Sequence, residues 1–147
     1  LSSKPASYYV TLFEAGQFQI VKEEEPSDSS ELFTHYAELQ IGDDTDDRYF
    51  EVSIGLTSDE LPDRMRRRAA LAIEKIIELD EAARSIPTEH DHHEALAYLD
   101  IRAAEVRLHY WSDTVNTEWD VVFSFDDQGM WDCLGIPDWR NPGSYTQ

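Results

Sequence analysis

Between Pro62 and Ile86 the chain carries its one long stretch of helical period. Leu61, Met65, Ala69, Ala72, Ile76, Leu79 and Ala83 recur every three or four residues, which places them on one side of a 3.6-residue helix. Ile73 and Ile77 widen that stripe, while Arg64, Arg67, Glu74, Glu78 and Glu81 fall mainly elsewhere. Proline is tolerated only in a first helical turn, so the helix begins around Pro62, with Ser58 or Asp59 as its N-cap. Pro87 ends it. Asp63–Arg67 and Asp80–Arg84 add favourable i,i+4 pairs. A helix with one apolar side must cover something, and nearly all the flanking sequence reads as short strands. The expected fold is therefore α+β: an antiparallel sheet with one long helix packed across it, in the order β-β-β-β-α-β-β-β.

Strand patterning supports that frame. Tyr8–Phe13 is rich in β-formers and is expected to pair with Phe18–Lys22 through the turn Glu14-Ala15-Gly16-Gln17. Phe33, His35, Ala37, Leu39 and Ile41 alternate with polar residues, as do Phe50, Val52, Ile54 and Leu56. Two such runs predict a hairpin with one buried face. After the helix, the stretch from Tyr98 to Trp111 is ambiguous at first, but from Glu105 onward Val106, Leu108 and Tyr110 alternate with Arg107, His109 and Trp111. Asp113 to Thr117 reads as a connection, Trp119, Val121, Phe123 and Phe125 alternate again, and Asp126-Asp127-Gln128-Gly129 is a turn into a last strand from Met130 to Leu134. No repeat or internal boundary interrupts the 147 residues, which read as a single domain with loose tails at 1–6 and 137–147, the second held, if at all, by Trp139 or Tyr145.

Charge narrows the function classes. The chain has 31 acidic residues against 12 basic ones, a net charge of −19. Direct binding to nucleic acid or to an anionic membrane surface needs positive charge, so both are disfavoured. The acid is concentrated outside the helix: residues 1–60 hold 14 acids and 3 bases, whereas residues 61–107 hold 10 and 8. Apolar residues make up 41% of the chain, enough to build a core without a metal or disulfide. Cys133 is the only cysteine, no apolar run reaches membrane-spanning length, and no secretory segment opens the chain, so a cytoplasmic setting is expected.

No catalytic signature accompanies this composition. Glu89-His90-Asp91-His92-His93-Glu94 has ligand-type side chains, but zinc-protease spacing would need a histidine where Ala97 stands. His90, His92 and His93 are thus weak metal candidates in a solvated loop, and no cofactor is expected. Asp43, Asp44, Asp46 and Asp47 fit no calcium-loop register, because the sixth and twelfth positions hold Arg48 and Ile54, or Tyr49 and Gly55. They read as a charged hairpin tip. Glu118 and Asp120 share one strand face around Trp119, without a positioned nucleophile. Cys133, between apolar residues and Asp132, reads as a buried structural thiol. Arg64, Arg66, Arg67 and Arg68 point in different directions on a helix and are better suited to salt bridges than to a phosphate site. The aromatics offer more: Trp119 shares a face with Val121 and Phe123 and reads as core, whereas Trp111 lies opposite to Leu108 and Tyr110 and is the candidate exposed anchor.

The segment from Tyr110 to Asp120, followed by Val121–Phe125, Asp126-Asp127-Gln128-Gly129 and Trp131, resembles the closing hairpin of small acidic bacterial proteins from uncharacterised domain families, several of them immunity partners in polymorphic toxin systems. The resemblance covers about the last third of the chain and implies a protein that neutralises a cognate toxin, often a basic nuclease, by covering its active site. Its acidic surface would speed association. The expected function is accordingly a non-enzymatic inhibitor that binds a basic protein. Asp43, Asp44, Asp46, Asp47, Glu23, Glu24, Glu25, Trp111, Glu118 and Asp120 are the candidate contact residues. An acidic DNA mimic or structural scaffold is the first alternative, and a metal-dependent hydrolase built on His90, His92 and His93 the second.

Overall fold

The computed structural model describes residues 4–14, 19–24, 31–40, 49–56, 62–86, 94–112 and 117–146. Their order is α1 (Ala6–Glu14), β1 (Gln19–Glu24), β2 (Glu31–Gln40), β3 (Tyr49–Leu56), α2 (Asp63–Glu74), α3 (Ile76–Arg84), β4 (Glu94–Ile101), β5 (Glu105–Ser112), β6 (Thr117–Phe125), β7 (Trp131–Pro137) and β8 (Tyr145–Thr146). Strands β1 to β7 form one mostly antiparallel sheet whose spatial order is its sequence order, and β8 adds to β7 along Ile136 and Pro137. Strands β3 and β4 are parallel. The two helices between them supply the long crossover that a parallel pair requires.

The class expected from sequence holds, but its element order does not. Tyr8–Phe13 is helical. Tyr9 is buried and Ala6 and Val10 are packed against the core, an i, i+3, i+4 spacing that only a helix brings to one side. Two ties fasten this helix: the Ala6 N–H donates to the Glu74 carboxylate, and the Lys4 N–H donates to the Tyr9 hydroxyl at 3.1 Å. Packing against α2 thus overrides the β propensity of Tyr8, Tyr9, Val10 and Thr11. The ambiguous stretch before Glu105 is a separate strand, β4, which restores the strand count lost at the N-terminus.

The single long helix is two. It breaks at Lys75, whose φ of −95° and ψ of 9° leave the α region, although Lys75 N–H still bonds to the Leu71 carbonyl. At the break the Lys75 stem lies against Gly129 in the β6–β7 turn, where an added Cβ would meet Lys75 Cε at 3.1 Å. Gly129 has φ +81°, the left-handed turn geometry that favours glycine. The helix begins at Asp63 with Pro62 as its N-cap residue, in extended conformation and without a side-chain cap bond; the expected caps Ser58 and Asp59 lie outside the described residues. Asp63 pairs with Arg66 rather than Arg67, while Asp80 and Arg84 pair as expected at 3.0 Å.

The core lies between these helices and one face of the sheet. Of the sequence stripe, Met65, Ala69, Ala72, Ile76, Leu79 and Ala83 are buried, and so is Ile73; Ile77 is exposed, and Leu61 lies outside the described residues. They meet Val52 and Ile54 of β3, Leu99 and Ile101 of β4, Val106, Leu108 and Tyr110 of β5, and Val121, Phe123 and Phe125 of β6 in one cluster. The β2–β3 register sets Phe33, His35, Ala37 and Leu39 opposite Leu56, Ile54, Val52 and Phe50, the two alternating sets read from sequence.

Two bulges keep this face continuous. Ala97 is the extra residue in β4, so Leu96 and Leu99, three apart, both pack on the core side. Leu134 is the extra residue in β7, which does the same for Cys133 and Ile136. A bulged strand resets its alternation at the cost of one unpaired residue. At the C-terminus, backbone pairing of Tyr145–Thr146 folds the chain back on β7, while Trp139 is 83% exposed. No helix among the described residues is long and apolar enough to cross a membrane.

Candidate functional site

The face of β3–β6 turned away from the helices is built from the alternate residues of the same strands. Its central row, read across the sheet, is Glu51 (β3), Tyr98 (β4), His109 (β5) and Asp120 (β6). Directly opposed residues share a face, so the register alone places these four together. On one side lies the row Ser53, Asp100, Arg107 and Val122; on the other, Trp111 is opposed by Glu118.

Side-chain contacts knit the rows. His109 Nδ1 lies 2.5 Å from Asp120 Oδ1 and its Nε2 lies 3.2 Å from Glu118 Oε2. The ring is stacked on Tyr98, with centroids 4.3 Å apart and planes 14° from parallel, and the His109 side chain is only 12% exposed. Arg107 donates to Glu105 at 3.1 Å and reaches Asp120 at 3.9 Å; Arg102 donates to Asp100 at 3.0 Å. Burial raises the Asp100 carboxyl above the ordinary aspartate value, and Arg102 and Arg107 oppose that rise. Burial likewise pushes the Tyr98 hydroxyl up, with the negative charges of Asp120, Asp100, Glu118 and Glu51 adding to it. Trp111 remains 43% exposed and the Glu118 side chain 69%. The result is an aromatic strip edged by carboxylates.

Each His109 ring nitrogen thus faces a carboxylate, Asp120 at Nδ1 and Glu118 at Nε2. Burial raises the Cys133 thiol, partly offset by a hydrogen bond from the Gly135 backbone, which disfavours the reactive thiolate. Among the described residues no group of three or more His, Cys, Asp or Glu is arranged to hold a metal ion.

A second polar site lies at the other end of β5 and β6. Arg68, 1% exposed, donates from Nη1 to the Phe125 carbonyl at 2.7 Å, and from Nε and Nη2 to the Arg102 carbonyl at 3.1 and 2.9 Å. Burial lowers its ordinary value, against the hydrogen bond and charge of Asp127. Arg64 donates to both Asp127 oxygens, at 3.1 and 2.9 Å, and to the Ala103 carbonyl at 3.0 Å. These contacts pin α2 to the β4–β5 and β6–β7 turns. They line an open groove of about 580 Å³ with Met130 and Trp131 on its rim. Both arginines are already engaged, so the groove reads as a consequence of the anchorage.

Of the sequence candidates, the structure brings Trp111, Glu118 and Asp120 onto one surface. Glu23 and Glu24 end the edge strand β1. Glu25, Asp43, Asp44, Asp46, Asp47, His90, His92 and His93 lie outside the described residues. Trp119 packs against the core and Cys133 is partly buried there, as read from sequence.

Sequence does not single out His109 or Tyr98 as site residues, and Arg68 reads there only as one of four arginines suited to salt bridges. A four-residue β5–β6 connection, 113–116, sets Ser112 opposite Thr117 and therefore His109 opposite Asp120; ending that connection one residue later hides the pairing. Arg68 follows Met65 by three and precedes Ala72 by four, so it belongs to the buried stripe, a signal masked by its charge. Tyr98 reaches the outer row only through the Ala97 bulge. No family model, no curated protein and no solved structure matches the chain.

Proposed function

We propose that the protein is a non-enzymatic binding protein that presents the outer face of β3–β6 to a basic protein partner and acts as its inhibitor. The observation that carries this reading is Trp111, a large aromatic side chain 43% exposed and opposed in register by Glu118, on a sheet face where Asp100, Glu105 and Asp120 are held in place by ion pairs. Aromatic anchors with a charged rim concentrate binding energy in protein interfaces. The net charge of −19 would steer a cationic partner and accelerate its capture. A basic enzyme such as a nuclease toxin, whose cleft must attract nucleic acid, is the partner best matched to this surface, and an immunity-type role follows from covering that cleft.

The test is affinity capture from lysate of the cells that make the protein, at about 150 mM salt, with wild-type protein beside a Trp111→Ala, Glu118→Gln variant. One basic protein retained by the wild type, released by higher salt and weakened by the variant is the expected result; inhibition of that partner's activity by stoichiometric addition completes it. A lysate that yields no specific basic partner would overturn the reading.

A further inference from the structure

The outer face holds more than an exposed tryptophan. Three rings from two strands line one strip: Tyr98 of β4 stacks on His109 of β5, and Trp111 follows two residues later on the same face. In the β5–β6 register Trp111 stands directly opposite Glu118. The Ala97 bulge is what builds this strip. Without it, the alternation running from Leu96 would bring Ala97 to the outer row and send Tyr98 toward the core.

The carboxylates divide into two kinds. Asp120 is engaged by His109 and Arg107, Asp100 by Arg102, and Glu105 by Arg102 and Arg107. Glu118 gives one oxygen to His109 and keeps most of its side chain in solvent, and Glu51, at the far end of the central row, is exposed. Negative charge from three strands, Glu51 of β3, Asp100 of β4 and Glu118 and Asp120 of β6, acts on the Tyr98 hydroxyl and adds to the effect of its burial.

We propose that this strip receives a single arginine side chain of the basic partner, its guanidinium lying flat on the Trp111 indole and paired with the Glu118 carboxylate. The inference rests on the binding-protein reading above and names the chemical group that reading leaves open. A planar cation that stacks on an aromatic face and forms forked bonds to a carboxylate is the property of guanidinium rather than ammonium. Indole stacking and one charge-assisted pair together correspond to about a tenfold gain in affinity.

The probes are three capped tripeptides, Gly-Arg-Gly, Gly-Lys-Gly and Gly-Glu-Gly, titrated into the full ¹⁵N-labelled protein and followed by NMR. The arginine peptide is expected to shift the Trp111 indole N–H and the amides of 109–111 and 117–120, saturating at millimolar concentration. The lysine peptide should bind several-fold more weakly and the glutamate peptide not at all. Glu118→Gln and Trp111→Ala should each weaken arginine binding about threefold. Trp111→Phe, which keeps a ring, should recover part of the loss, and Asp132→Asn, an exposed acid elsewhere on the same face, should change nothing. Equal losses in Glu118→Gln and Asp132→Asn would show diffuse attraction and overturn the proposal, as would equal binding of arginine and lysine peptides. The two failures separate: a partner whose capture the variant weakens, beside arginine and lysine peptides that bind equally, sinks only the arginine site, whereas arginine binding without any basic partner in lysate sinks only the inhibitor reading.

Discussion

Strands β3–β6 have two faces made from alternate residues of the same segments, and the two obey different rules. Toward the helices, Val52, Ile54, Leu99, Leu108, Val121 and Phe123 are all buried in one cluster. Toward solvent, the neighbouring positions hold Tyr98, Asp100, Arg107, His109, Trp111, Glu118 and Asp120, joined by ion pairs and one stacked ring pair. Apolar burial contributes about 25 cal/mol per Å² and sets the stability of the fold. Partly solvated ion pairs contribute about 0–1 kcal/mol each, so the outer face can hold a specific chemistry at little cost to folding. One strand therefore serves stability on its even-numbered side, at Val106, Leu108 and Tyr110, and carries charged and aromatic side chains on its odd-numbered side, at Arg107, His109 and Trp111.

Substitutions on the two faces should separate cleanly. Phe123→Ala, in the cluster centre, is expected to cost about 3–5 kcal/mol in urea unfolding, the largest effect. Arg68→Met should follow at about 3 kcal/mol, because it strips the donors from the Arg102 and Phe125 carbonyls; a loss under about 1 kcal/mol would mean that α2 is held by apolar packing alone. Trp111→Ala should change stability by no more than about 0.5 kcal/mol while it weakens partner binding, and a larger destabilisation would erase the distinction between the faces. Cys133 should react slowly with a thiol reagent near neutral pH and quickly once the chain is unfolded in urea, since burial raises its pKa in the fold; equal rates would place it outside the packed face.

The smallest effect concerns Asp100. Its folded value lies above the unfolded one, so the folded state retains the proton to higher pH, and this contribution to stability is present below the unfolded value and is lost as pH rises through the folded value. Asp100→Asn, neutral throughout, should therefore gain on wild type as pH rises from about 4, by less than about 1 kcal/mol. The check is the difference in urea midpoints across that range, and an opposite slope would show that Arg102 and Arg107 outweigh burial.

How legible the molecule is in its sequence depends on the range of each interaction. The helix stripe from Met65 to Ala83, Ile77 excepted, and the β2–β3 pairing rest on local periodicities, and the structure keeps both. Ala6, Tyr9 and Val10 also carry a helical period, but over so short a run that β-forming residues mask it; contact with α2 decides the outcome. The candidate site was half visible. Trp111, Glu118 and Asp120 stand out by type and alternation, whereas their organiser, His109, becomes apparent only when the β5–β6 register is known.

Alternation and period are properties of contiguous chain, since side-chain direction follows directly from backbone rise and twist. The sequence by itself therefore determined the α+β class, the two-sided strands, the buried side of the helices, the β6–β7 turn and an acidic chain with an aromatic anchor. Tertiary structure alone decided the order of elements, the break at Lys75 and the bulges at Ala97 and Leu134. It also decided the burial of Arg68 against main-chain carbonyls and the meeting of Glu51, Tyr98, His109 and Asp120 in one row. Each of these depends on which distant segments lie side by side and in what register, and that is set by the packing of the whole core rather than by any stretch of residues within it.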